Sequence, residues 1–453
     1  MIYPKSVLPT LPVLASLVLG TQGTSRAATG PCDLYEAAGT ACVAAHSTVR
    51  ALYSSYSGNL YQVRRKSDGT KKDIGLLSTG GYANSATQDA FCANTTCTIS
   101  EIYDQSPKGN HLLVTTKGGW LNNGGTEADA AAAKIKIDGH TVYGVYTTGT
   151  FDNDVGGVGY RNNKTTGIAT GNQAEGMYMV AGGKHYNQYC CFDYGNAQVT
   201  NTDNGNSTME ALFWGSSIQW GHGLGTTGPW VMGDLENGLV GGVTAGATGN
   251  AAMTYDGNTP IVADYVIGTL KSKTDDWWSL RGGDANNGTL KTMYSGAHVK
   301  GWYPKKLEGA VLLGVGGDNS HTGVGTFFEG AMIIGCPTDA VENAVQANVV
   351  AAGYGLATTS IRSDLPSPAN AAHHIQSSFQ KTMFDFSLST SGNVRLEVLD
   401  LAGHRIATLA EGPQAAGSHQ SVWNAPTAPE GLYIARLNID GKISWSERFT
   451  LGR

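Results

Sequence analysis

Between residues 30 and 355 the hydrophobic positions fall in short runs, such as 176–180 and 310–315, rich in aromatic and β-branched side chains and separated by clusters of Gly, Asn, Asp and Ser. Runs of that length bounded by turn-forming residues predict strands. Helical spacing is scarce. Its clearest instance, Val341, Ala344, Val345, Val349 and Ala352, predicts one helix, with Asp339 and Glu342 as a capping box and Gly353 as the stop. No period of twenty to fifty residues recurs, which disfavours propellers and solenoids and favours an all-β, two-sheet β-sandwich with long loops over residues 29–356.

The texture changes near Thr358. Residues 357–378, with Pro366, Pro368 and several Ser and Ala, predict a linker. Strand candidates follow at 383–388, 394–400, 406–410, 420–423, 432–437 and 443–449, enough for a small second β-sandwich over residues 379–453, with hairpin turns at 401–404 and 440–441. At the other end, residues 1–28 carry one lysine, Lys5, an apolar stretch interrupted by Pro9 and Pro12, and small residues at Ser25 and Ala27. That layout predicts a secretory signal peptide rather than a spanning helix, and hence a secreted, extracellular or surface-attached protein with no membrane insertion.

Composition narrows the partners. Of 453 residues, 41% are hydrophobic and 15% charged, which excludes a disordered or coiled-coil chain. The net charge of −6 comes without any basic block, so nucleic acid and anionic membrane are not expected partners. Seven cysteines in an exported chain imply pairing. The simplest connectivity is local, Cys32 with Cys42 and Cys92 with Cys97, while Cys336, in apolar surroundings, reads as a buried, inert thiol. Cys190 and Cys191 are neighbours whose Cα atoms, about 3.8 Å apart, are closer than an ordinary disulfide spans. Either they close a strained ring or each pairs elsewhere.

No Gly-x-x-x-x-Gly-Lys-Ser/Thr loop, Gly-x-Ser-x-Gly elbow or His-Glu-x-x-His helix occurs. The eleven histidines are scattered, and Phe151-Asp152-Asn153-Asp154 reads as a polar turn rather than a calcium loop, so neither metal nor cofactor is expected. What remains is carboxylates among aromatics and glycines. In Trp230-Val-Met-Gly-Asp234-Leu-Glu236-Asn237, a strand would project Asp234 and Glu236 to one face. Two like charges so placed raise each other's proton affinity, which points to a site; the plainer alternative is a solvent-facing hairpin edge. In Gly314-Val-Gly-Gly317-Asp318-Asn319, an apolar strand runs into a glycine turn that puts Asp318 at a strand end, where ordinary turn chemistry is the plainer reading.

Around these residues the chain resembles the glycoside hydrolase family 54 α-L-arabinofuranosidases. The resemblance runs through Gly30-Pro-Cys-Asp-Leu-Tyr35, Ala44-Ala-His-Ser-Thr48, Phe91-Cys-Ala-Asn-Thr-Thr-Cys97, Ile102-Tyr-Asp-Gln-Ser106, Gly109-Asn-His-Leu112, Gly159-Tyr-Arg-Asn-Asn163, Glu175-Gly-Met-Tyr178 and Tyr189-Cys-Cys-Phe-Asp-Tyr194. It implies a concanavalin-like jelly-roll catalytic domain, a Cys190–Cys191 disulfide forming part of the sugar platform, Glu236 as nucleophile and Asp318 as general acid/base. Sugar contacts are implied at Cys190, Cys191, Trp220, Asp234, Asn237 and Gly317; Trp230, Trp277 and Trp278 are left as structure. A one-residue insertion inferred between Trp220 and Glu236, with Gly233 beside Asp234, is expected to alter the pocket wall. The β-trefoil arabinose-binding module of many fungal members is not expected here. The tail instead resembles the immunoglobulin-like sorting domain of type IX secretion cargo, through Val394-Arg-Leu-Glu-Val-Leu-Asp400, Gly403-His-Arg405 and Gly431-Leu-Tyr-Ile-Ala-Arg436, which implies that machinery as a partner.

The resemblance therefore implies a retaining, exo-acting α-L-arabinofuranosidase acting on terminal arabinofuranosyl groups of arabinoxylan, arabinan or their oligosaccharides, and the proton-donor role of Asp318 predicts an acidic optimum. Competing readings are a noncatalytic, lectin-like carbohydrate-binding sandwich and a β-xylosidase using the same acids.

Overall fold

The computed structural model describes residues 29–355 and, further on, residues 373–378, 381–388, 391–400, 404–425, 428–429, 431–440 and 442–451. The expected signal peptide, 1–28, lies outside the described residues, as does most of the expected linker. The chain divides into two compact units, Met1–Thr358 and Thr359–Arg453.

Two large sheets make up the first unit. One runs in the order Lys291–Gly296, Trp278–Asp284, Tyr265–Ser272, Glu175–Tyr186, Gly325–Ile334, His140–Thr147, Ala133–Ile137, and Cys42–Ser47 joins it by pairing with Gly325–Ile334. The other begins Leu239–Val240, Trp230–Asp234, Glu210–Gly215, Asp193–Ala197, Ala310–Leu313, Tyr160–Asn162, and continues through Leu112–Val114 and Cys97–Ile102 to Tyr61–Arg65 and Lys71–Ile74. They pack face to face. Leu212, Trp214 and Val231 from the second sheet share one core with Ile267, Leu270 and Trp278 from the first. Gly233 belongs to this contact: a Cβ there would come within 2.9 Å of the Trp278 ring. It serves sheet packing rather than the pocket wall, contrary to expectation.

The predicted helix spans Asp339–Ala352, but its N-cap is Thr338, whose hydroxyl accepts from the Val341 N–H at 3.4 Å. Asp339 and Glu342 have other work. Lys271, fully buried in a strand of the first sheet, donates to Asp339 at 2.5 Å and to Glu342 at 2.9 Å, and Arg281 donates to Glu342 at 2.9 Å. The buried stripe is Glu342, Val345, Gln346, Val349 and Ala352, so Ala344 faces solvent in place of the two polar residues. Two seven-residue helices, Pro31–Ala37 and Ser85–Phe91, were not expected. A second buried ion pair, Arg50 with Glu329 through bonds of 2.6 and 2.7 Å, ties an early loop to the Gly325–Ile334 strand. Cys32–Cys42 and Cys92–Cys97 are bridged, Cys336 is free and half-buried rather than buried, and burial pushes its thiol up.

The second unit has a three-stranded sheet, ordered His373–Ser378, Lys381–Leu388, Gly417–Asn424, and a four-stranded one, ordered Arg405–Gln414, Gly392–Leu399, Gly431–Ile439, Lys442–Leu451. His373–Ser378, assigned to the linker by composition, is therefore a strand. Alternation buries Val394, Leu396 and Val398 on one strand and Tyr433, Ala435 and Leu437 on another, and Phe384 meets Phe449 edge to face at 5.1 Å between the sheets.

Candidate active site

Side-chain alternation places the site. Along Trp230–Asp234, Val231 enters the core between the sheets, whereas Trp230 and Met232 join a separate cluster with Cys190, Cys191, Phe213 and Leu239 on the sheet's opposite face. Asp234 shares that outer face with them. A pocket of about 330 Å³ opens there. Its walls include Cys190, Cys191, Trp220, Asp234 and Glu236, and also Asn237, Gly317 and Asp318, so every residue marked as a candidate in the sequence converges on one cavity. Trp220 is half-buried at its wall, while Trp230 and Trp278 are core. Trp277 is half-buried elsewhere, under the Lys273 ammonium at 4.4 Å.

Asp234 and Glu236 do not meet by strand alternation. The strand ends at Asp234, and the chain turns, with Glu236 at φ 60° and Asn237 at φ 56°, both left-handed. A non-glycine pair held there is strained and persists only where surroundings enforce it. Asp234 Oδ1 helps by accepting the Glu236 N–H at 3.0 Å. Neither acid sits on a solvent-facing edge: Asp234 is 6% and Glu236 5% exposed. The Gln198 amide donates to Glu236 Oε2. Gly317 lies directly against that carboxyl, since a Cβ there would collide with Glu236 Oε2, Gln198 Oε1 and Met209 Sδ. Thus the Glu236 turn and the Asp318 loop touch.

Acidic groups crowd this face. Burial, then the charges of Asp234 and Asp318, pushes the Glu236 carboxyl up to about 9, with the Gln198 hydrogen bond opposing. Burial likewise raises Asp234 to about 7. Behind it, Asp193 is fully buried; desolvation, then the Asp234 charge, holds it well above the usual carboxylate range. Taken as ionised, neither Asp193 oxygen has a partner, whereas a proton on Asp193 supplies a donor to Asp234. We therefore describe Asp193 as the neutral member of the pair. The nearby cation is Arg161, buried beneath the Asp318 loop, donating to the Gly317 carbonyl at 2.8 Å and Asn319 Oδ1 at 3.2 Å. Burial lowers its affinity for its proton to about 10, against the pull of Glu236 and Asp318.

Cys190 and Cys191 are joined to each other by a disulfide. Cys191 Sγ lies 3.2 Å from Asp234 Oδ2, but a disulfide sulfur has no proton to give, so any hydrogen in that contact belongs to the acid. Among the described residues Cys190, Cys191 and Asp234 form a group of potential metal ligands. With both sulfurs spent in the disulfide, no thiolate is available, and the donor set does not suit a soft metal. Asp152 Oδ1 accepts the Asp154 N–H at 2.9 Å, an ordinary Asx turn.

Sequence reasoning missed four residues here. Asp193 and Arg161 sit inside motifs already marked, Gln198 five residues beyond the first, but their roles need the fold. Trp120, whose indole Nε1 donates to Asp318 Oδ2 at 2.8 Å, has no acid near it in sequence.

Carboxyl groups gathered over a small pocket whose two cysteines are spent in a disulfide are the equipment of glycoside hydrolases as a class. The particular assignment follows from comparison. The chain belongs to the family described as alpha-L-arabinofuranosidase B, catalytic, whose model matches residues 31–355. It is 51% identical over 340 residues to alpha-L-arabinofuranosidase B of Aspergillus oryzae, covering 74% of this chain and 64% of that protein. Over 340 residues it is 50% identical to an arabinofuranosidase/B-xylosidase of Trichoderma koningii, again covering 74% and 64%. The chain thus spans less than two thirds of the length of these relatives. Among solved structures, an arabinofuranosidase complexed with arabinofuranosyl-alpha-1,2-xylobiose matches with TM-score 0.67 at 42% identity, covering 86% of this chain and 74% of that one. A GH54 a-l-arabinofuranosidase soaked with cyclic sulfate inhibitor matches equally, with TM-score 0.67 at 42% identity and 86% and 75% covered.

Proposed function

We propose that this protein is a retaining, exo-acting α-L-arabinofuranosidase that removes terminal arabinofuranosyl groups from polysaccharides or their oligosaccharides. The observation that carries the reading is the contact between the two acidic loops: Glu236 rests against Gly317, and Asp318 follows in the same pocket. Glu236 attacks the anomeric carbon, the glycosidic bond breaks, and Asp318 protonates the departing oxygen. Water then displaces Glu236 while Asp318 takes its proton. Attack requires Glu236 as the carboxylate, so the proton that burial and neighbouring acids keep on it has to leave first; the Gln198 donor favours that ionised form. Trp220 offers a flat apolar wall to the furanose carbons, the Cys190–Cys191 pair a second surface, and Asp234 and Asn237 hydrogen-bonding groups for its hydroxyls.

The test is release of 4-nitrophenol from its α-L-arabinofuranoside by wild type, Glu236→Gln and Asp318→Asn. Undiminished turnover in Glu236→Gln rejects the assignment, and binding without turnover in all three favours a lectin-like protein. The relative named arabinofuranosidase/B-xylosidase supports a side activity toward β-xylosides, read by the aryl xyloside in parallel. We further read the first unit as a concanavalin-like jelly roll and the second as an immunoglobulin-like sorting domain for type IX export of a secreted or surface-attached enzyme. The strand alternation of the second unit and its 394–400 and 431–436 segments support that reading. Export lost on deleting residues 379–453 would support it, and unchanged export would count against it.

A further inference from the structure

The reaction above gives no part to Trp120, which borders the same pocket. Trp120 is 57% exposed, so its ring adds little to the core, yet it is held tightly. Besides the indole bond to Asp318 Oδ2, its backbone N–H donates to the Asp318 carbonyl at 3.0 Å. The turn carrying it is built for this approach: Gly119 has φ 52°, and a Cβ there would strike the Asp318 carbonyl oxygen. Asn319 clasps the same turn from the other side, its amide donating to the carbonyls of Thr116 at 3.1 Å and Gly118 at 3.0 Å. Asp318 Oδ1 accepts from the Ser320 N–H at 2.9 Å. Both carboxyl oxygens are therefore fixed, one by the acid's own loop and one by a side chain from a remote segment. The Trp120 ring also borders the pocket, on the Asp318 side.

We propose that Trp120 is a positioning residue for Asp318, fixing the carboxyl's orientation through the indole N–H, and that its ring forms the wall against which the leaving group rests. This rests on the reading of Asp318 as the general acid. In the first step the electron pair of the breaking C–O bond goes to the leaving oxygen, Glu236 bonds to the anomeric carbon, and the Asp318 proton moves to that oxygen. As Asp318 becomes a carboxylate, the bonds from Trp120 and Ser320 strengthen, so they favour the transition state over the ground state. A 4-nitrophenolate departs with little protonation, whereas a sugar alkoxide depends on it.

The experiment measures kcat and KM on 4-nitrophenyl α-L-arabinofuranoside and on arabinofuranosyl-xylobiose for wild type, Trp120→Phe, Trp120→Ala and Asp318→Asn. Their ratio kcat/KM reports the steps up to the covalent intermediate. Trp120→Phe keeps a ring and loses the N–H; its kcat/KM should fall at least about tenfold more on the oligosaccharide than on the aryl glycoside, chiefly through kcat. Trp120→Ala should additionally raise KM for the oligosaccharide. Equal losses on both substrates, as general destabilisation gives, or no loss in Trp120→Phe, overturn the proposal. If Asp318→Asn itself lacks the substrate split, the reading of Asp318 as the acid fails; if it has the split and Trp120→Phe does not, only the role of Trp120 fails.

Discussion

Gly317→Ala offers a sharp test of the site's geometry, because it adds one methyl group and removes no acid. Gly317 does not have positive φ, so alanine meets no backbone penalty and the whole effect is steric. The new Cβ would stand 2.7 Å from Met209 Sδ and closer still to Glu236 Oε2 and Gln198 Oε1. Gln198 is buried and holds both Thr208 and Glu236, so the displacement falls on the Glu236 carboxyl. Relief requires a retreat of roughly 1 Å, and near-attack geometry tolerates little: a misplacement of that size costs about a hundredfold in rate. Overpacking should cost about 1–3 kcal/mol of stability. The assay is steady-state release of 4-nitrophenol beside urea unfolding. The expected result is a hundredfold fall in kcat in a protein that remains folded. A kcat within about threefold of wild type would refute the inference that Gly317 is glycine to make room for Glu236.

Three further outcomes follow from the electrostatics. Asp234→Asn removes the charge that ranks after burial in raising Glu236, so the acidic limb of the kcat/KM profile should move to lower pH; an upward move contradicts this. Asp193, Asp234 and Glu236 all bind protons more tightly folded than unfolded, so this group favours the fold at low pH and loses that contribution as pH rises from about 4 toward 9. Asp193→Asn should therefore change thermal stability more favourably at pH 8 than at pH 5, and a constant difference between the two would remove the buried carboxyl as its cause. Arg50→Met strands the Glu329 carboxylate, itself 0% exposed, and should cost about 3–5 kcal/mol in denaturant unfolding; a loss under about 1 kcal/mol would mean that the bidentate pair is dispensable.

The all-β character was legible because short runs and turn clusters are local signals. The helix at Asp339–Ala352 was legible too, but its polar buried stripe was not: Glu342 is inside only because Lys271 and Arg281, from strands far back in the chain, meet it there. Asp234 and Glu236 were marked for the right proximity and the wrong reason, since alternation applies only within a strand and the strand stops at Asp234. Asp193 and Arg161 carry no signal alone. Their perturbation comes from burial, which a sequence does not specify residue by residue. Trp120 is the limiting case, because its partner lies in a loop that only the folded sheets bring near.

The first strand, Cys42–Ser47, finds its ladder partner in Gly325–Ile334, almost at the far end of the unit. During synthesis the opening strand must wait for that ladder until nearly the whole of the first unit has left the ribosome, held meanwhile by its bridge to Asp104. Such late closure slows folding and prolongs the time in which the unit is incompletely paired. A truncation ending before residue 325 should accordingly yield no cooperatively melting product at all.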